Sequence, residues 1–397
     1  MRAREPFPLA SGFAALLICL ALFTPAGLGG DPASPTRQPP LKPSLVPGGE
    51  IFDTPTLLEF RLHLRAAHLG ALRETPREYV PMTAVVNGQI FTNVAAKLKG
   101  AAGSFRPIDD QPALTLHFSK WVEGRRLFGI RRLHLNNSVQ DPSFLNEYLG
   151  SELFRAAGVP TPRVAWATVE LNDRKLGLYV LKEAFETEFL RTYFGSAKGN
   201  LYDGGFVQDI QNDLELDSGD GPKDRSDLKA LAAAVQEQDR DRRWERFQEL
   251  LDVDRFASYA ALSVMLVDWD GYLLNRNNYR VYFRPDDGRA VFMPHGMDQL
   301  FQRSYLDLDV SWTGSVAWAL FDIPAAQTLY EARCRELFTN VFQLDRITNS
   351  IARACAVMQP VQPDIRQRAQ DLEDQIYNRF RVLRRDALLK APPPRKP

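Results

Sequence analysis

From Phe52 onward, apolar residues recur at the two periods that separate strand from helix. A loose alternation runs from Phe52 to Leu64. TAVVNGQIFTNVAAKLKG (Thr83–Gly100) then gives two alternating runs joined by Asn87-Gly88, a pair that tolerates the positive φ of a tight hairpin. ALTLHF (Ala113–Phe118) and LFGIRRLHL (Leu127–Leu135) read as further strands. The period then changes. Phe144, Leu145, Tyr148, Leu149 and Leu153 fall at helical spacing, with Asp141-Pro142-Ser143 placed to cap the start and Gly158 to end the run. RVAWATVELN and LGLYVLKEAF predict a second hairpin across Asn172-Asp173.

After Ser226 nearly every run is helical: Asp227–Gln238, Arg242–Leu251 and Asp254–Val267, then about Ala325–Val341, Asp345–Met358 and Gln362–Leu389. Two short strands interrupt them, NYRVYF and RAVFMP, with Asp286-Asp287-Gly288 at their turn. The acidic, glycine-containing segment Phe206–Lys223 reads as a loop. A β-rich first part carrying one helix and a mostly helical second part suit an α+β protein of two lobes with a cleft between them.

Composition narrows the function classes. The 49 basic and 49 acidic residues balance, which gives no reason to expect nucleic acid or a membrane surface as partner. At the N-terminus Arg2 and Arg4 precede the apolar GFAALLICLALF, followed by the small residues of TPAGLGG. That order predicts a secretory signal peptide over 1–26, with an uncleaved anchor as the other outcome. Residues 27–50 are proline-rich and read as a linker, 51–390 as the folded domain, and 391–397 as a disordered tail. Cys334 and Cys355 are either two buried thiols or one bond. No cysteine–histidine cluster has zinc spacing, and no G-x-S-x-G elbow points to a hydrolase. Asp217–Gly221 lacks the spacing of a calcium loop.

The densest chemistry is DWDGYLLNRNNY, Asp268–Tyr279, directly behind the apolar run ALSVMLV. Asp270 and Asn275 stand five positions apart, the spacing of a kinase catalytic loop. There the aspartate takes the proton of the acceptor hydroxyl and the asparagine oxygen ligates magnesium. The same spacing also serves a loop whose Asp and Asn make only local turn hydrogen bonds.

LNNSVQDPSFLNEYLGSELFRAAGVPTPR, VELNDRKLGLYVLKEAF, GNLYDGG, DWDGYLLNRNNYRVYF and FMPHGMDQLF occur in this order. Together they resemble the spore-coat protein H (CotH) kinase-like family of secreted atypical protein kinases, from about Leu57 to Phe301. The resemblance implies a divergent two-lobed kinase-like fold, a β-rich lobe over about 51–185 and a mostly helical one over about 186–390. It also implies ATP with Mg2+ or Mn2+, and transfer to serine of extracytoplasmic proteins. Asp270 would be the catalytic base, and Asn275 and Asp298 would hold the metal. Glu147 would pair with a phosphate-binding lysine, Lys97 or Lys99, beside the small-residue turn Gly100–Ser104.

Two positions depart from the family. Its Trp-Asp-x-Asp motif reads His295-Gly296-Met297-Asp298 here, so its first carboxylate falls on Gly296. A lysine often found before a proline is Gln111. Asp268 or His295 would have to make good that deficit in an active kinase. Without such compensation the implied protein is a weakened pseudokinase, binding an envelope or coat partner in a structural or adhesive role.

Overall fold

Asn87 and Gly88 make the expected turn, with φ of 47° and 84°, joining strands β2 (Val80–Val86) and β3 (Gln89–Lys99). The computed structural model describes residues 46–390. The segment read as a signal peptide, most of the proline-rich segment and the tail 391–397 lie outside the described residues. Along β2 the side chains of Val80, Met82, Ala84 and Val86 are buried and those between them are not, the period of a sheet with one face in a core.

β1 (Leu57–His63), β4 (Ala113–His117), β5 (Arg132–Asn136), β6 (Val164–Leu171) and β7 (Arg174–Glu183) complete this sheet. Its order is β1-β2-β3-β4-β5-β7-β6, and it closes into a barrel. Closure comes from β1, antiparallel to β2 on one side and parallel to β6 on the other, with Leu57 opposite Trp166. Every backbone edge is thereby paired. Phe60, Leu62, Met82, Leu116, Tyr179 and Leu181 fill the interior. The alternation of residues predicts only an open set of hairpins, because a parallel pairing between strands a hundred residues apart leaves no turn signal.

Strands β6 and β7 turn their outer face to the helix Asn146–Ala156. Trp166 packs against Tyr148 with ring centroids 4.9 Å apart and planes tilted by 51°, and its indole N–H donates to the Phe144 carbonyl at 2.9 Å. The Asp141 carboxylate accepts the backbone N–H groups of Ser143 and Asn146, at 3.0 and 2.9 Å, as its place before the helix requires.

In the second part the helix Val253–Leu266 is buried continuously from Phe256 to Leu266. Helices Ser226–Gln236, Arg240–Leu250, Pro324–Asn340, Leu344–Met358 and Ile365–Leu383 accompany it. β8 (Leu201–Asp203), β9 (Glu215–Ser218), β10 (Tyr279–Phe283) and β11 (Ala290–Pro294) form a second sheet in the order β11-β10-β8-β9. So the acidic segment contains a strand, and it is not all loop. Cys334 and Cys355 are separate buried thiols. Among the described residues no helix is long and apolar enough to cross a membrane.

Candidate active site

A cavity of about 610 Å3 is lined by β3, β5 and β7 of the barrel and by β8, β10 and the segments that flank the β10–β11 hairpin. Its floor is the stretch that follows the helix Val253–Leu266. That helix ends at Val267 with φ 54°, a conformation a β-branched residue adopts only under constraint. The constraint is Arg379, fully buried on the helix Ile365–Leu383. Its guanidinium donates to the Val264 and Met265 carbonyls, both at 2.9 Å, and to Ser304 O at 3.1 Å. Val264 and Met265 lie in the last turn, where a helix runs short of backbone donors, and among the described residues Val264 O otherwise has only the Val267 N–H at 3.1 Å. Arg379 lies on the apolar stripe Ile365, Ala369, Leu372, Ile376, Leu383. A lone charge on such a stripe was the sequence signal for it, and it was missed.

The three asparagines of the loop converge on Asp270. Asn275 Nδ2 donates to Oδ1 at 2.7 Å, Asn278 Nδ2 to Oδ2 at 2.8 Å, and Asn277 Nδ2 reaches both oxygens at 3.2 Å. The polar density of the stretch therefore orients one carboxylate. Asp270, Asn277 and Asn278 line the cavity. Asn275, expected to hold a metal, is not among the lining residues. Its amide is committed to Asp270 behind them.

The lysine expectation needs correction. Lys97 does not line the cavity, and its ammonium lies 4.8 Å from the centroid of the Tyr79 ring. The partner of Glu147 is Lys182, whose Nζ donates to Glu147 Oε2 at 2.6 Å with both side chains buried. Lys182 shares the outward face of β7 with Val180, two positions before it, and so meets the helix that carries Glu147. The run LGLYVLKEAF contained the clue, a lysine ending an apolar strand. Lys99 does line the cavity and donates to Asn136 Oδ1 at 2.5 Å. Burial and the charge of Lys182 lower its pKa to about 8. Gln111 is not a lining residue, and its carbonyl accepts from Asn137 Nδ2 at 2.8 Å.

Asp298 lines the cavity beside Glu147. Burial first, then the Glu147 charge, raise its carboxyl to about 7. Its backbone carbonyl accepts from Asn146 Nδ2 at 3.3 Å, and Phe301 N–H donates to Leu266 O at 2.7 Å. The segment is thus pinned to both helices. Asp268 is buried, and its Oδ2 has no hydrogen-bond partner. Desolvation and the facing Asp270 push it up to about 8. It does not line the cavity, so it does not stand in for the carboxylate absent at Gly296. His295 accepts from Lys182 Nζ at 3.5 Å through Nδ1. Burial and Lys182 hold it well below the ordinary histidine range, which makes it a neutral acceptor.

These residues suit a hard divalent cation. Asp298 and Asp270 offer oxygens, Glu147 being engaged by Lys182, and burial with the Glu147 charge raises the Asp298 carboxyl against the opposing charge of Lys182. Among the described residues no group of three or more His, Cys, Asp or Glu stands ready as a complete metal cage. Magnesium does not require one, since it keeps water and takes phosphate oxygens. Lys99 and Lys182 bring two cationic side chains to the same cavity, charges of the kind a phosphate group would pair with.

A family model described as CotH kinase protein matches residues 99–385. The Inner spore coat protein H of Bacillus subtilis (strain 168) is 24% identical over 194 residues, 44% of this chain and 51% of that protein. Invasin CotH3 of Rhizopus delemar is 22% identical over 230 residues, 53% of this chain and 37% of that protein. The chain therefore spans about half or less of these relatives' length. Among solved structures, the Helicobacter pylori proinflammatory kinase CtkA aligns with 68% of this chain and 95% of its own, at 11% identity and TM-score 0.28. HipA in a Shewanella oneidensis MR-1 toxin–antitoxin complex with HipB and operator DNA aligns over 84% and 74%, at 11% and 0.39.

Proposed function

The chain belongs to the CotH kinase protein family, and we propose that it transfers the γ-phosphoryl group of ATP to a serine hydroxyl of an extracytoplasmic protein, with Mg2+ or Mn2+. One observation carries this reading: a buried Lys182–Glu147 pair opens onto the same cavity as Asp270 and Asp298. A buried ion pair is weak evidence for stability alone. A lysine held against a helix glutamate beside two acidic loops is what phosphate binding needs.

Lys182 and Lys99 receive the phosphates, with Glu147 keeping the Lys182 ammonium in place. Asp298 and the amide oxygens near Asp270 would hold the cation, which when bound neutralises triphosphate charge. Asp270 orients the serine hydroxyl. The bond from serine Oγ to the γ-phosphorus forms as the bond to the ADP oxygen breaks, and the hydroxyl proton passes to Asp270. The transition state is loose and proton transfer late, so orientation matters more than basicity.

Transfer of label from γ-labelled ATP to the chain itself or to casein-like acceptors, abolished by Asp270→Ala, is the expected result. Nucleotide binding without transfer would favour the second reading, a weakened kinase displaying a binding surface, which Gly296 supports. The coat and invasin names of the relatives support a coat or cell-surface setting for either.

A further inference from the structure

We propose that the side-chain oxygen of Asn278 takes the place of the carboxylate missing at Gly296 and supplies the second protein oxygen, beside Asp298, to the divalent ion. The inference rests on the metal-dependent reading above and adds which residue completes that site.

The geometry begins at Gly296. Its φ is 57°, and a Cβ built on it would lie 2.6 Å from Asn278 Oδ1 and 2.8 Å from Asn278 Cγ. The amide therefore stands where any side chain at position 296 would have to begin. Two hydrogen bonds hold the amide there, and a third fixes its backbone. Nδ2 donates to Asp270 Oδ2 at 2.8 Å and to the Asp270 carbonyl at 3.2 Å. The Asn278 carbonyl accepts His295 N–H at 2.9 Å, which ties the two loops together. The backbone of Asn278 itself has φ 49°, a conformation asparagine adopts more readily than most residues. With Nδ2 facing Asp270, Oδ1 faces Gly296, and among the described residues no donor hydrogen-bonds to it. Asn278, Gly296, Asp270 and Asp298 all line the one cavity.

An amide oxygen is a legitimate hard ligand, weaker than a carboxylate because it brings a dipole and no charge. The replacement keeps an oxygen at the site and removes one negative charge. Asn275 is a poorer source of that oxygen, since it does not line the cavity. Glycine at 296 and asparagine at 278 are then one device. A carboxylate returned to position 296 alone collides with the amide that replaced it.

The test is Mn2+ binding to the full chain without nucleotide, followed by loss of the free-ion paramagnetic resonance signal. Wild type binds, and Asp298→Ala abolishes binding. Asn278→Gly, which preserves the positive-φ backbone, weakens binding about tenfold or more, whereas Asn275→Ala leaves it within a factor of two. Asn278→Asp keeps an oxygen while losing the amide donor, and it retains binding. Gly296→Asp alone does not tighten binding, but Gly296→Asp with Asn278→Gly binds more tightly than Asn278→Gly alone. Asn278→Gly equal to wild type, or Gly296→Asp alone gaining affinity, overturns the inference and leaves the kinase reading standing. Absence of Mn2+ binding by the wild type, with or without ATP, overturns both. Should Asn278→Gly fail to fold, Asn278→Asp and Gly296→Asp decide the matter in its place: loss of binding in the first or a gain in the second overturns the inference.

Discussion

Lys182 and Glu147 show how much one pair decides. Removing one partner strands a buried charge, so Lys182→Met or Glu147→Gln should cost about 3–5 kcal/mol in urea unfolding. Replacing both with apolar residues should recover most of that loss while abolishing ATP binding, which separates the pair's structural and functional roles. The raised carboxyls give a pH signature. Asp268 and Asp298 titrate near 8 and 7 in the fold, above the ordinary carboxylate range. Between about pH 4 and those values these two carboxyls hold protons in the fold that they lose in the unfolded chain, so their contribution to stability falls as pH rises through that window. His134 and His295, which burial holds neutral in the fold, act in the opposite sense, so the signature is read by difference. In the ion-free protein Asp298→Asn should lose less melting temperature, or gain more, than wild type between pH 5 and pH 8. Added Mg2+ should stabilise more at pH 8, where the carboxylate form is available. Asp270, Glu147 and Asp298 could be named from the chain because their motifs are local. Lys182, although it ends an apolar strand, could not be paired with Glu147 from the chain, because the two are 35 residues apart in sequence and only the face of β7 brings them together.

Among elements, the end of the helix Val253–Leu266 matters most. Arg379 satisfies its last carbonyls from a helix more than a hundred residues downstream. Arg379→Met leaves several buried carbonyls without donors, which should cost at least about 3 kcal/mol. It should also lower the rate of the proposed phosphoryl transfer even where the protein remains folded, because Asp270 follows that helix end by a few residues. Thermal unfolding and label transfer on one sample would check both. The helices themselves were legible. Runs read at Ala325–Val341 and Asp345–Met358 appear as Pro324–Asn340 and Leu344–Met358, since amphipathic periodicity is a strong signal over four turns. Short elements were not legible. The helix Thr187–Phe194 and strand β9 (Glu215–Ser218) are too brief to show a period.

At the scale of the molecule, the barrel begins well before the stretch that defines the family. The family match starts at residue 99, whereas β1, β2 and nearly all of β3 precede it. A chain cut to residues 99–385 loses the strands that close the sheet and exposes two edges and an apolar interior. It should aggregate or melt without cooperativity, while residues 46–390 should unfold in a single transition by circular dichroism. The α+β division was readable from the order of strand and helix periods, and barrel closure was not, because register between distant strands is written only in packing. A cavity that binds a metal–triphosphate is the premise of the proposed chemistry. Calorimetric titration of ATP with Mn2+ into the wild-type chain and into Asp298→Ala tests it most directly. One site per chain in the wild type, lost in the variant, is the result predicted. No heat of binding in the wild type, or equal affinity in both, would contradict it.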